Sequence, residues 1–258
     1  MDAVEAAAPA ATTDERLYGM RTVRVKITAL ALVAMVTLAG CARPTEEALR
    51  VGDVSVGTSQ IEQSAAPLAQ ALGATAAGSA QTASIVAQIR QDVVEFTIFI
   101  EVASRYARER GVRPEEPDYQ SVATSLQADV DDPYVRLNAQ ANAYRDALLA
   151  DATGRQPTED ELQAVYDHYV AVATAEGLDQ AQLATFEQIR AELLDWPEYH
   201  QALALRDALS DAADRYGVFV HPRYQPIVYP LLRGGNQGQF TLVSLPFGPA
   251  GTGAIRSD

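Results

Sequence analysis

Between Thr82 and Arg110 the chain places apolar side chains around most of a helix's circumference, and this segment restricts the fold more than any other. Ile85, Ile89, Val93, Phe96 and Ile100 recur at intervals of three and four, while Val86, Phe99 and Val102 widen the stripe. The run VVEFTIFIEV is β-branched enough to be read as a strand. The segment's length and polar flanks favour helix instead, with Arg108, Arg110 and Gly111 as the stop. A helix this apolar must be covered on several sides, so it is expected at the centre of the core. The 258 residues, 48% of them hydrophobic, suffice for one sizeable core or two small ones.

The rest of the middle also reads as helix. Thr58 or Ser59 caps a segment expected to reach about Leu72 and Gly73, with a kink or break at Pro67. A short helix is expected over Tyr119–Ala128, and Asp132-Pro133 opens the next, carrying Leu137, Ala141, Tyr144 and Leu148. Thr158-Glu159-Asp160-Glu161 is a capping box, followed by Leu162, Val165, Tyr166 and Tyr169 on one face and stopped at Gly177. Helices over Leu183–Leu194 and Pro197–Tyr216 are divided at Asp195-Trp196, with Asp195 as the expected N-cap. Leu49–Val56 around Gly52-Asp53, and the runs VFVHPRY, PIVYPLL and QFTLVSL, are β-prone. The expected fold is therefore mainly α, with a small β-sheet from N-terminal (about 49–56) and C-terminal (about 218–245) strands that close a 48–246 domain. A disordered tail is expected over 247–258.

The N-terminus reads as an address. Arg21, Arg24 and Lys26 precede the apolar run Ile27–Thr37, and the 14 residues from Ile27 to Gly40 fall short of the roughly 20 that span a bilayer. Residues 1–40 are expected to be a cleaved signal, with translation starting at Met20, because the acidic stretch before it suits a signal poorly. Leu38-Ala39-Gly40-Cys41 resembles the bacterial lipobox. That resemblance implies cleavage between Gly40 and Cys41, acyl chains such as palmitate on Cys41, and a tether over 41–47. Two chains anchor stably where one is marginal.

A net charge of −14 and a single Lys argue against nucleic acid as a partner. One Cys excludes an internal disulfide and a Cys-based metal site. His168, His200 and His221 lie far apart, and each is expected in a structural or solvated position. Asp129, Asp131 and Asp132 lack the Gly and distal Glu of a calcium loop. No phosphate, dinucleotide, zinc-protease or serine-hydrolase motif is present. No enzyme, no catalytic residue, no metal and no cofactor are expected.

The ordered segments ALRVGDVSVGTSQIEQ, ASRYARERGV, PTEDELQAVYDHYV, TFEQIRAELL, RYGVFVHPRY and LVSLP resemble the N-terminal chaperone domain of the SurA/PrsA family, as carried by actinobacterial lipoproteins. Thr158, Glu159, Glu161, Leu162 and Tyr166 match the family's T-x-E-E-L…Y pattern. Val218–Gln225 matches its closing V-x-V-N-P-R-Y-G, with departures at His221 and Gln225. The short interval between Glu176 and Leu183 leaves no room for the parvulin isomerase that the family inserts there. The resemblance implies a lipid-anchored chaperone-like holder of unfolded secreted polypeptides on the outer face of the cell membrane, without isomerase activity. An adaptor lipoprotein in the cell envelope, binding one dedicated partner, is the alternative, and the oligomeric state stays open. The working surface is expected in an apolar cleft between the Thr82–Arg110 helix and the C-terminal helices.

Overall fold

The β-branched run is helical. In the computed structural model, which describes residues 46–75, 80–177, 183–224, 226–234 and 240–248, it lies inside the second helix, α2 (Ala80–Arg110). Val93, Val94, Ile98, Phe99, Val102 and Ala103 of α2 are buried. Cover comes from α1 (Thr58–Thr75), α4 (Pro133–Asp151), α7 (Pro197–Tyr216) and the strands β1 (Glu47–Val51) and β4 (Ile227–Gly234). Packing on several sides outweighs the strand propensity of Val and Ile. Arg108 and Arg110 occupy the last turn, where cations meet the negative end of the helix dipole, and Gly111 closes it at φ 73°.

The remaining boundaries follow local chemistry. Asp132 Oδ1 accepts from the Tyr134 N–H at 2.8 Å and Pro133 opens α4. Thr158 and Glu161 form the expected box at the start of α5 (Glu159–Ala175), with Glu161 Oε2 accepting from the Thr158 N–H at 2.8 Å. A second box, Thr185 with Gln188, starts α6 (Phe186–Leu194). Asp195 does not cap α7: it ends α6, and the N-cap of α7 is Trp196, which makes no side-chain cap bond. Proline's preset φ suffices to start that helix. Pro67 does not break α1, which runs past Gly73 to Thr75 with Pro67 exposed and Ile61, Ala65 and Leu68 buried. The short α3 (Tyr119–Leu126) stops two residues before Ala128, where Gln127 turns left-handed at φ 52°.

The two ends of the domain meet. β1 pairs antiparallel with β2 (Val54–Gly57) through the Gly52-Asp53 turn, and with β3 (Val218–Val220) on its other side, Leu49 opposite Val220. Arg105 of α2 donates to Asp53 Oδ1 at 2.5 Å and to the Val51 carbonyl at 3.2 Å, tying the hairpin to the central helix. Gly52 is required there: at φ 61°, a Cβ would stand 2.9 Å from Arg105 Nη1.

Beyond β3 the chain leaves this sheet. Pro222–Tyr224 form a 3₁₀ turn, Tyr224 is buried, and the Gln91 amide donates to the carbonyls of Tyr224 and Pro226 at 3.1 and 2.9 Å. β4 and β5 (Phe240–Phe247) then pair with each other as a separate two-stranded sheet. The C-terminal strands thus divide between two sheets, because Pro222 and Pro226 lack the N–H that would extend the first. Phe247, expected in the tail, is the last residue of β5, opposite Ile227 and 3% exposed. Tyr229 of β4 stacks on Phe99 with ring centres 3.8 Å apart, locking the hairpin onto α2.

Glu47, expected in the tether, begins β1. Gly40, Cys41, the 1–40 signal and the residues after Gly248 lie outside the described residues. No helix of the described residues is long and apolar enough to cross a membrane.

Candidate functional site

The fold leaves a cleft of about 840 Å³ bounded by α2, α5, α7 and the β4–β5 hairpin. Alternation along the strands produces it. Ile227, Tyr229 and Leu231 of β4 are buried, while Val228 and Pro230 between them are half-buried and line the cleft. Leu242 and Pro246 of β5, Val165 and Val172 of α5 and Leu203 of α7 supply more apolar lining. The cleft lies where it is expected, between α2 and the C-terminal helices. Its lining is not purely apolar, however, because two clusters of charge interrupt it.

The first cluster is saturated. Arg155 Nη2 lies 2.6 Å from Glu161 Oε1, and its Nε lies 2.6 Å from Asp207 Oδ2. Arg206 Nη2 reaches both acids at 2.7 Å. Two cations thus face two anions. The hydrogen bond from Arg155 holds the Glu161 carboxyl well below the usual range, with help from the Thr158 N–H and Arg206 and against burial. Burial alone would push the Asp207 carboxyl up, but hydrogen bonds from Arg155 and Arg206 outweigh it and hold it down. Arg155 also donates its N–H to the His200 carbonyl at 3.1 Å, and Gly154 beside it packs so closely that a Cβ would meet the His200 Cβ at 2.9 Å. This turn joins α4 to α5 and places Arg155 over α7.

The second cluster lacks such cations among the described residues. Asp92 and Glu95 stand one turn apart on α2. Tyr134 Oη donates to Asp92 Oδ2 at 2.7 Å, Gln88 Nε2 to Asp92 Oδ1 at 2.7 Å, and Gln91 Nε2 to Glu95 Oε1 at 3.4 Å. The Val228 N–H also donates to Glu95. Arg233 of β4 attracts the pair but makes no salt bridge with it among the described residues. Burial, reinforced by the charge of Asp92, pushes the Glu95 carboxyl up to about 8. Burial raises Asp92 too, against the hydrogen bonds from Tyr134 and Gln88.

The histidines divide. His168 is half-buried in the cleft with Phe240, ring centres 6.5 Å apart, rather than on a solvated face, and burial pulls its pKa down. His200 sits under the Gly154 turn with its Nε2 buried and without a hydrogen-bond partner among the described residues. His221 Nε2 lies 2.8 Å from Glu46, and its N–H donates to the Ala48 carbonyl at 2.8 Å, a structural position. Asp129, Asp131 and Asp132 are used locally: Asp129 accepts from the Asp131 N–H at 2.9 Å, Asp131 pairs with Arg136, and Asp132 caps α4. Among the described residues no three His, Cys, Asp or Glu converge to hold a metal.

Sequence reasoning passed over Asp92, Glu95, Arg155, Arg206 and Asp207. A signal existed for the first two, since acids at i and i+3 interrupt an otherwise apolar helix. No family model, curated protein or solved structure matches the chain.

Proposed function

We propose that this chain is a lipid-anchored, extracytoplasmic holder of unfolded polypeptide, related in design to the helical domain of SurA-type chaperones and devoid of isomerase activity. The observation that carries the reading is the cleft, about 840 Å³ in volume, with an apolar hairpin wall and polar clusters beside it. Such a surface suits many sequences, because hydrophobic burial is non-directional while a few polar groups accept backbone bonds. The N-terminal Leu38-Ala39-Gly40-Cys41 supports attachment next to the site where secreted chains emerge, and the strand pairing of β1 with β3 supports the resemblance.

The test is suppression of aggregation of a chemically unfolded client by the protein at stoichiometric amounts. The wild type is expected to suppress, and Val172→Asp, which puts a charge on the apolar wall, is expected to suppress less. No effect at an excess of wild type contradicts the reading. Recovery of one stoichiometric envelope partner, in place of many substoichiometric clients, would favour the adaptor alternative.

A further inference from the structure

The β4–β5 hairpin has two outer edges, and the sequence treats them differently. Along the β4 side, Pro226 and Pro230 have no N–H, the Val228 N–H donates to Glu95, and the Gln91 amide takes the Pro226 carbonyl. That edge is closed to a further strand. The same residues fix how β5 is turned. Val228 lies opposite Pro246, and Pro230 opposite Ser244. Neither pair exchanges ladder bonds, because the prolines have no N–H and that of Val228 is committed to α2. In an antiparallel ladder the main-chain groups of such pairs point outwards. Ser244 therefore directs its N–H and its carbonyl away from β4, and Pro246 directs its carbonyl the same way. Among the described residues no third strand pairs with the hairpin, and no backbone group outside it bonds to Ser244.

The cleft runs along this open edge. Phe240, Thr241, Leu242, Val243 and Ser244 all line it. Successive side chains of a strand point to opposite faces, so a surface that meets five in a row follows the strand's edge. Between Pro226 and Pro230 the other side of the hairpin contributes alternate residues only.

We propose that an extended segment of the held polypeptide adds to the free edge of β5 as a third strand, bonded through its main chain to Ser244 and Pro246. The inference rests on the holder reading and gives it a binding mode and a client class: extended apolar segments without proline at the bonded position. Only an extended main chain offers donors and acceptors at the spacing of a strand, and those bonds are blind to side-chain identity. Side chains of the added strand alternate, so one set meets the apolar lining, which includes Leu242, Val172 and Leu203. Pro246, with no N–H to give, ends the edge and keeps the added strand short.

The experiment uses the whole chain and two labelled, unstructured apolar peptides with identical side chains, one of them N-methylated at its central amides, read by fluorescence anisotropy. The unmodified peptide is expected to bind about tenfold more tightly, as the loss of two or so main-chain bonds implies. Ser244→Pro removes an N–H that the β4 ladder does not use and is expected to bring the two peptides to one level. Ser244→Ala, which keeps the N–H, is expected to preserve the difference. Equal binding of the twins by the wild type overturns the added strand alone, and this arm needs no variant to fold. A difference that survives in folded Ser244→Pro overturns it too. A wild-type dimer that Ser244→Pro dissolves assigns the edge to a second copy and overturns the proposal. Failure of both peptides to bind overturns the holder reading and the added strand with it.

Discussion

Glu161 and Glu95 line the same cleft and are the same residue type, yet their environments hold opposite protonation states. Glu161 has two arginines and a backbone N–H, and it stays ionised. Glu95 has an amide, a backbone N–H and a neighbouring carboxylate, and burial drives it towards the neutral form. Burial penalises both charges; what differs is whether a cation is in contact to offset the penalty. One end of the cleft is therefore a paired structural joint, and the other holds two carboxylates with no salt bridge among the described residues.

The largest expected effect comes from breaking the finished joint. Glu161→Gln leaves Arg155 and Arg206 facing only Asp207 and should cost about 2–3 kcal/mol at pH 7 in urea unfolding. The folded pKa of Glu161 is lowered, so its stabilisation is present above the ordinary glutamate value of about 4.3 and is lost as pH falls through the folded value. The variant and the wild type should converge in acid. Equal stability of the two at pH 7 would show that the network is not a joint.

Glu95→Gln should act in the other direction. The folded pKa of Glu95 is raised to about 8, so its full contribution is present below the ordinary value and is lost as pH rises towards 8. The variant should match the wild type near pH 4 and be the more stable of the two at pH 9. A variant less stable than the wild type at pH 9 would contradict the contrast. Smallest is Tyr134→Phe, which removes the 2.7 Å bond to Asp92 and should cost about 1 kcal/mol. Its loss should also move Asp92 further up, visible in carboxyl chemical shifts.

How much of this was legible depends on how local the cause is. The Thr158 box and the Asp132-Pro133 start are written within four residues, and the structure has both. The Thr185–Gln188 box is equally local, but its pattern went unread because the helix was expected to begin at Leu183. The division of the C-terminal strands is local in one part, at Pro222 and Pro226, and tertiary in the other: Gln91 captures the Tyr224 and Pro226 carbonyls from 133 and 135 residues away. Charge state is the least legible. Nothing in the spacing of Glu161 reveals Arg206, which arrives from 45 residues further on. The position of the cleft was readable from the broad apolar face of α2, whereas its mixed lining required the hairpin to be in place.

Hydrogen-exchange mapping of the protein with a bound, chemically unfolded client tests the cleft as the working surface most directly. Protection should appear over Phe240–Pro246 of β5 and Glu161–Ala175 along α5, while the β1–β2 hairpin exchanges as before. Protection confined to the β1–β2–β3 sheet, with the cleft unaltered, would contradict the cleft as the place where polypeptide is held.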